Sequence, residues 1–137
     1  MTAASLAVAL SPAVIGVGTD MIRVDRIEAV FRRKGERLVQ RILTPAEQDV
    51  WRARGCSINF LAKQFAAKEA LAKALGTGIA QGVGFQQLEV LRSAQGAPVV
   101  ALFGAAADRL QQLEGRQALL SLSDEQPWVL AFAVLSR

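Results

Sequence analysis

One stretch limits the folds open to this chain more than any other. From Ser57 to Gly76 the residues SINFLAKQFAAKEALAKALG are mostly good helix formers, opening on a serine suited to cap a helix and stopping at a glycine suited to end one. The run predicts a long helix through Leu75. Ala62, Phe65 and Ala66 share a face with Glu69 and Lys73, so part of that face packs inward. With 137 residues, 52% of them hydrophobic, the chain has enough apolar material for one ordinary domain around such a helix.

The flanking patterns place strands at both ends. Ala13 to Met21 is a short apolar run holding Gly16 and Gly18, read as a strand that another backbone approaches closely. Val24, Ile27, Phe31 and Leu38 then recur at helical spacing, with Gly35 placed to break or kink that helix. Thr44-Pro45-Ala46-Glu47 is a capping box with proline at the first helical position, opening a helix to about Arg54. Gly78 to Gly84 is a glycine-rich loop. Leu88–Leu91 and Val99–Phe103 read as strands about a Gly96-Ala97-Pro98 turn. A helix over Gly104–Leu113 and two last strands, Ala118–Leu122 and Trp128–Leu135 around a polar turn at 123–127, complete an α+β fold with an antiparallel sheet packed against the long central helix. The whole chain, 1–137, reads as a single domain whose residues 1–13 are a loose leader.

Composition narrows the chemistry. There is no histidine, which removes the usual histidine-bearing zinc sites and any Ser-His or Cys-His nucleophile pair. Acid-base or metal chemistry must therefore use Asp, Glu or Lys. Cys56 is the only cysteine, so no intrachain disulfide forms, and a cytoplasmic location with an inert thiol is expected. The apolar start lacks a charged n-region, and Asp20 cuts it short of a membrane span, so no membrane partner is expected. From Asp20 to Leu75 there are 12 basic and 7 acidic residues, against 4 and 5 in the remainder, so the first half presents a basic surface to an acidic partner or a phosphorylated ligand.

Five groups of residues carry candidate chemistry, and each has a plainer reading. Glu69 and Lys73, four apart, are an ordinary salt bridge on spacing alone; near an apolar surface the carboxylate also suits a metal. Gly76-Thr77-Gly78 is a helix cap, or a turn that shows backbone N–H groups to a phosphate beside Lys68 and Lys73. Asp20, at the end of the glycine-bearing strand, is a helix N-cap or a magnesium ligand. Asp124-Glu125 is a solvated turn or a strand-end carboxylate facing a site. Finally, Arg23, Arg26, Arg33, Lys34 and Arg37 fall within about a third of a helix circumference if Gly35 does not break it. That is a solvated basic face or a docking strip for an acidic helix or a nucleic-acid backbone.

Taken in order, the motifs resemble holo-acyl-carrier-protein synthases, the small bacterial 4'-phosphopantetheinyl transferases. The resemblance rests on Ile15-Gly16-Val17-Gly18-Thr19-Asp20, on Arg41-Ile42-Leu43-Thr44-Pro45-Ala46-Glu47, and above all on Phe65-Ala66-Ala67-Lys68-Glu69-Ala70 followed by Lys73-Ala74-Leu75-Gly76-Thr77-Gly78-Ile79. Phe85, Leu88-Glu89-Val90, Gly96-Ala97-Pro98 and Ser121-Leu122-Ser123-Asp124-Glu125 continue it.

The resemblance implies transfer of phosphopantetheine from coenzyme A to a serine of apo-acyl carrier protein, releasing 3',5'-ADP, for fatty acid biosynthesis. It implies that Asp20 and Glu69 bind Mg²⁺ and that Lys73 stabilises or protonates the leaving phosphate, so that Asp20, Glu69 and Lys73 form the catalytic set. Lys68, Lys73 and Gly76-Thr77-Gly78 would contact coenzyme A phosphates. Arg26, with Arg23 and Arg33, would grip the acidic helix of the carrier protein, and Asp124 is a further candidate. It also implies a homotrimer with sites between subunits and no nucleic-acid partner. Two positions depart from many relatives: Gln64 stands where they have arginine, leaving a phosphate or carrier contact missing or supplied by Lys63, and Asp124 stands where they have histidine. The rival reading is a non-catalytic basic module that docks an acidic protein helix or nucleic acid through the arginine strip.

Overall fold

The computed structural model describes Thr2 and residues 13–137. Apart from Thr2 and Ala13, the expected leader lies outside the described residues.

The chain opens with strand β1 (Val14–Arg23) and three helices, α1 (Val24–Lys34), α2 (Glu36–Ile42) and α3 (Pro45–Ala53). The long helix α4 (Ile58–Ala74) follows, then a 3-10 turn (Phe85–Gln87), strands β2 (Leu88–Arg92) and β3 (Pro98–Leu102), helix α5 (Gly104–Gln112), and strands β4 (Gln117–Glu125) and β5 (Trp128–Ser136). The order β1-β5-β4 makes a three-stranded antiparallel sheet, and β2-β3 is a separate antiparallel hairpin. The architecture is the α+β arrangement expected, with the sheet lying against the central helix.

Helix α4 is apolar on nearly every side because it is enclosed on nearly every side. Eleven of its 17 residues are buried, six of them alanines. The small side chains let backbones come close, and β1 uses this. A Cβ at Gly18 would collide with the carbonyl oxygen of Ala70, and one at Gly16 with that of Ala74. Only glycine fits at these two contacts, and they draw β1 down onto the C-terminal end of α4, between Ala70 and Ala74. The inner row of the sheet, Gly18, Asp20 and Ile22 on β1 opposite Ala133, Ala131 and Val129 on β5, therefore faces the helix.

Two expectations change. Gly35 does break the helix: at φ 57° and ψ −134° it separates α1 from α2. The arginine strip depended on an unbroken helix, and Arg23 ends β1 while Arg37 lies on α2. Arg23, Arg26, Arg33, Lys34 and Arg37 thus do not share one helical face. The polar turn also shrinks, since Ser123, Asp124 and Glu125 stay in β4, paired with Leu130, Val129 and Trp128, leaving Gln126-Pro127 to reverse the chain.

Candidate active site

Asp20, 53 residues of chain from Lys73, meets it directly: Lys73 Nζ donates to Asp20 Oδ1 at 3.2 Å and to the Thr19 carbonyl at 3.0 Å. The strand-on-helix contact at Gly18 brings this about, because Gly18 sits on Ala70 and the next inward residue of β1 is Asp20. Glu69 joins the group. Its carboxyl is raised above the ordinary glutamate value first by burial and then by the negative charge of Asp20, with Lys73 opposing both. The plain i,i+4 salt bridge between Glu69 and Lys73 is not formed; Lys73 is committed to Asp20 instead.

Glu69 faces a cavity of ≈ 390 Å³ between α1, α2 and α4. Its apolar wall includes Phe65, Ile79 and Phe85, and two cations, Arg26 and Arg41, line it as well. Phe65 was expected only to pack inward beside Glu69, and Ile79, Phe85 and Arg41 had no expected role beyond falling inside the quoted motifs. The arrangement is a largely apolar slot lined by Glu69, whose carboxylate feels the repulsion of Asp20 and the attraction of Lys73. Such a carboxylate pair is relieved by a hard cation, and one or two carboxylates with room left for water and phosphate oxygens suit magnesium. Among the described residues no cluster of three or more metal-ligating side chains occurs, so Asp20 and Glu69 would supply the protein's share.

Other expected residues lie elsewhere. Lys68 does not face the cavity. It is fully buried, and its ammonium donates to Glu47 Oε1 at 2.6 Å, to the Ile42 carbonyl at 2.6 Å and to the Phe85 carbonyl at 3.0 Å. With all three donors used, it has none for a coenzyme A phosphate. The Gly76-Thr77-Gly78 turn is a helix cap: its N–H groups donate to the carbonyls of Lys73 and Ala72, so they do not form a phosphate nest. Arg109 Nε also caps this end by donating to the Leu75 carbonyl at 2.8 Å.

Asp124 is held at Lys63, which lies six residues, roughly 9 Å of helix, before Glu69. It accepts from Asn59 at 2.8 Å and pairs with Lys63 at 3.1 Å, and these two hold its carboxyl below the usual aspartate range. Lys63 therefore serves Asp124. Gln64 is fully buried and donates to Glu47 Oε2 and the Val90 carbonyl while accepting from Arg92, a structural post with no exposed surface. Of the three arginines expected to dock a carrier, Arg26 lines the cavity, Arg23 is paired with Asp25 at 3.1 Å, and Arg33 lies in the last turn of α1.

A long buried helix, a strand pressed on it by two glycines, and a carboxylate pair with a lysine at an apolar slot define a family. The chain belongs to the 4'-phosphopantetheinyl transferase superfamily, whose family model matches residues 16–133. It is 46% identical over 125 residues to the holo-[acyl-carrier-protein] synthase of Photorhabdus laumondii, covering 91% of this chain and 99% of that one. Among solved structures it is similar to the holo-[acyl-carrier-protein] synthase of Neisseria meningitidis, at TM-score 0.84 and 39% identity over 90% of this chain and 99% of that one. The Helicobacter pylori holo-[acyl-carrier-protein] synthase in complex with coenzyme A matches at TM-score 0.77 and 26% identity, over 88% of this chain and 99% of that one.

Proposed function

We propose that this chain, a single phosphopantetheinyl transferase domain, moves the 4'-phosphopantetheine group of coenzyme A to a serine of apo-acyl carrier protein, giving holo-carrier protein and 3',5'-ADP. The observation that carries the reading is the grouping of Asp20 and Lys73 with Glu69, which lines the apolar cavity. In the transfer the serine oxygen forms a bond to the phosphorus that bears pantetheine. The bond from that phosphorus to the oxygen bridging it to 3',5'-ADP breaks, and the serine loses its proton.

Asp20 and Glu69 are the residues that would hold Mg²⁺. When bound, the ion neutralises charge on the pyrophosphate and orients it. Lys73 has two of its three protons engaged, by Thr19 and Asp20, and the third is free to stabilise or protonate the departing phosphate oxygen. Its ammonium is held at one place by a backbone carbonyl, so little reorganisation is needed as charge builds up. Phe65, Ile79 and Phe85 give an apolar wall suited to the pantetheine arm. Arg26 lines the same cavity, which supports a role for it in meeting an acidic carrier, with Arg23 and Arg33 nearby in the sequence.

A homotrimer belongs to the same reading. The outer face of the sheet carries Val17, Met21, Leu119, Leu130 and Phe132, each between 43% and 58% exposed, and apolar strands left open in this way call for a partner surface. A cytoplasmic location, expected from the single unpaired Cys56, goes with it. No helix among the described residues is long and apolar enough to cross a membrane.

The direct test is incubation with apo-carrier protein, coenzyme A and Mg²⁺, followed by the mass of the carrier. A phosphopantetheine adduct that is lost with Glu69→Gln supports the reading. No adduct, or one indifferent to Glu69→Gln, defeats it.

A further inference from the structure

Lys68 and Glu69 are consecutive, yet one is sealed inside the protein and the other lines the cavity. The partners of the sealed residue share a property. Ile42 ends α2, Glu47 opens α3, and Phe85 starts the 3-10 turn. Two of the three, Ile42 and Phe85, are themselves cavity wall, and Arg41 is the neighbour of one of them. The Lys68 ammonium thus gives one hydrogen bond to each of three separate segments.

Glu47 completes the arrangement. Its Oε1 accepts from Lys68 at 2.6 Å and from Thr44 N at 2.7 Å; its Oε2 accepts from Gln64 at 2.8 Å and from Val90 N at 2.7 Å. Every donor of the ammonium is used, and both carboxylate oxygens are doubly bonded to partners. No buried side-chain polar atom among the described residues lacks a hydrogen-bond partner. An apolar side chain of equal length would fill the space but hold none of the three segments, because dispersion contacts have no direction.

We propose that Lys68 is a positioning residue: by fixing the end of α2, the start of α3 and the 3-10 turn to the residue beside Glu69, it sets the opening of the cavity and the place where substrate meets Glu69 and Lys73. The effect on catalysis rests on the transferase reading; the tethering of the walls does not.

The test uses Lys68→Met and the double variant Glu47→Gln/Lys68→Met, which removes both charges and leaves no unpaired ion in the interior. Leu110→Ala on α5, away from the cavity, serves as a control for simple loss of stability. Each is assayed at a temperature where circular dichroism shows it folded. Amide hydrogen exchange is expected to quicken roughly tenfold or more at Ile42, Leu43 and Leu88 relative to the amides of α5 in both Lys68 variants. The kcat for carrier modification is expected to fall roughly tenfold, with the carrier KM nearly unchanged, while Leu110→Ala keeps its kcat. Exchange that rises evenly over the protein, or a folded double variant with native kcat, overturns the proposal. A native protein that modifies no carrier defeats the transferase reading alone, and the exchange pattern then decides the role of Lys68 by itself.

Discussion

Lys73 bypasses Glu69, its neighbour one turn back on the same helix, and gives its ammonium to Asp20 on β1 at 3.2 Å. That choice leaves the Glu69 carboxylate facing the cavity with no hydrogen bond or ion pair among the described residues. It also ties the strand to the helix at the point where the chemistry is proposed.

Removing the lysine should therefore damage turnover more than binding. Lys73→Ala is expected to lower kcat by about 100-fold or more, the usual loss for a group that stabilises developing charge, with a smaller change in the coenzyme A KM. Steady-state kinetics on a purified apo-carrier checks this. A variant with native kcat and only a raised KM would assign Lys73 to binding alone.

Glu69 links the site to stability. Its raised carboxyl means that the folded protein holds this proton at a pH where the unfolded chain has released it. The native state therefore binds more protons in the window between the ordinary glutamate value and the raised one, and stability falls as pH rises through that window. Without divalent metal at neutral pH, Glu69→Gln should raise the Tm, and the gain should shrink when Mg²⁺ is added to the native protein. Thermal melts in chelator and in millimolar Mg²⁺ provide the comparison.

Gly18→Ala should be among the most harmful single-atom changes in the chain. The added methyl meets the Ala70 carbonyl, which belongs to a helix that cannot yield locally. A loss of at least about 1–3 kcal/mol is expected. Activity should drop even where the protein remains folded, since Asp20 rides on the displaced strand. Urea unfolding and the carrier assay, run side by side, would separate the two effects.

Arg26→Ala is expected to raise the carrier KM roughly tenfold with little change in kcat, and the difference should diminish at high ionic strength, as for other docking charges. An equal effect on kcat would instead place Arg26 at the transferred group.

The outer sheet face predicts its own outcome. Phe132→Asp puts a charge at the centre of the exposed apolar rows and should convert an oligomer to monomers, with activity lost in step. Light scattering after gel filtration reads the mass. A native protein that is already monomeric and active would rule out the trimer.

Much of this was legible in the residues, for reasons that differ from place to place. The α4 helix and the Thr44–Glu47 capping box announce themselves locally, through propensity and a pair of reciprocal hydrogen bonds, and both form as expected. Gly16 and Gly18 correctly signal a close backbone approach. What spacing cannot convey is which way a residue points once its helix is enclosed. Lys68 and Glu69 carry equal weight in the motif, yet one turns into the interior and the other onto the cavity. Likewise Glu47 is readable as a cap, but its second oxygen reaches Val90 and Gln64, contacts set by packing between distant segments. Gly76-Thr77-Gly78 shows the same ambiguity: the residues announce a turn, but not that its N–H groups are spent on the helix end.

The pairing of β1 with β5 bears on how such a protein comes into being. Asp20 sits on a strand whose partner in the sheet, Ala131, is made more than a hundred residues after it. A nascent chain made as far as Glu125 contains every proposed active-site side chain, but nothing yet holds β1 in register beside α4. Local helices can form early, whereas long-range strand pairing waits until β5 has been made. Competence should thus arrive in a single step, when β5 pairs with β1, and not build up gradually during synthesis.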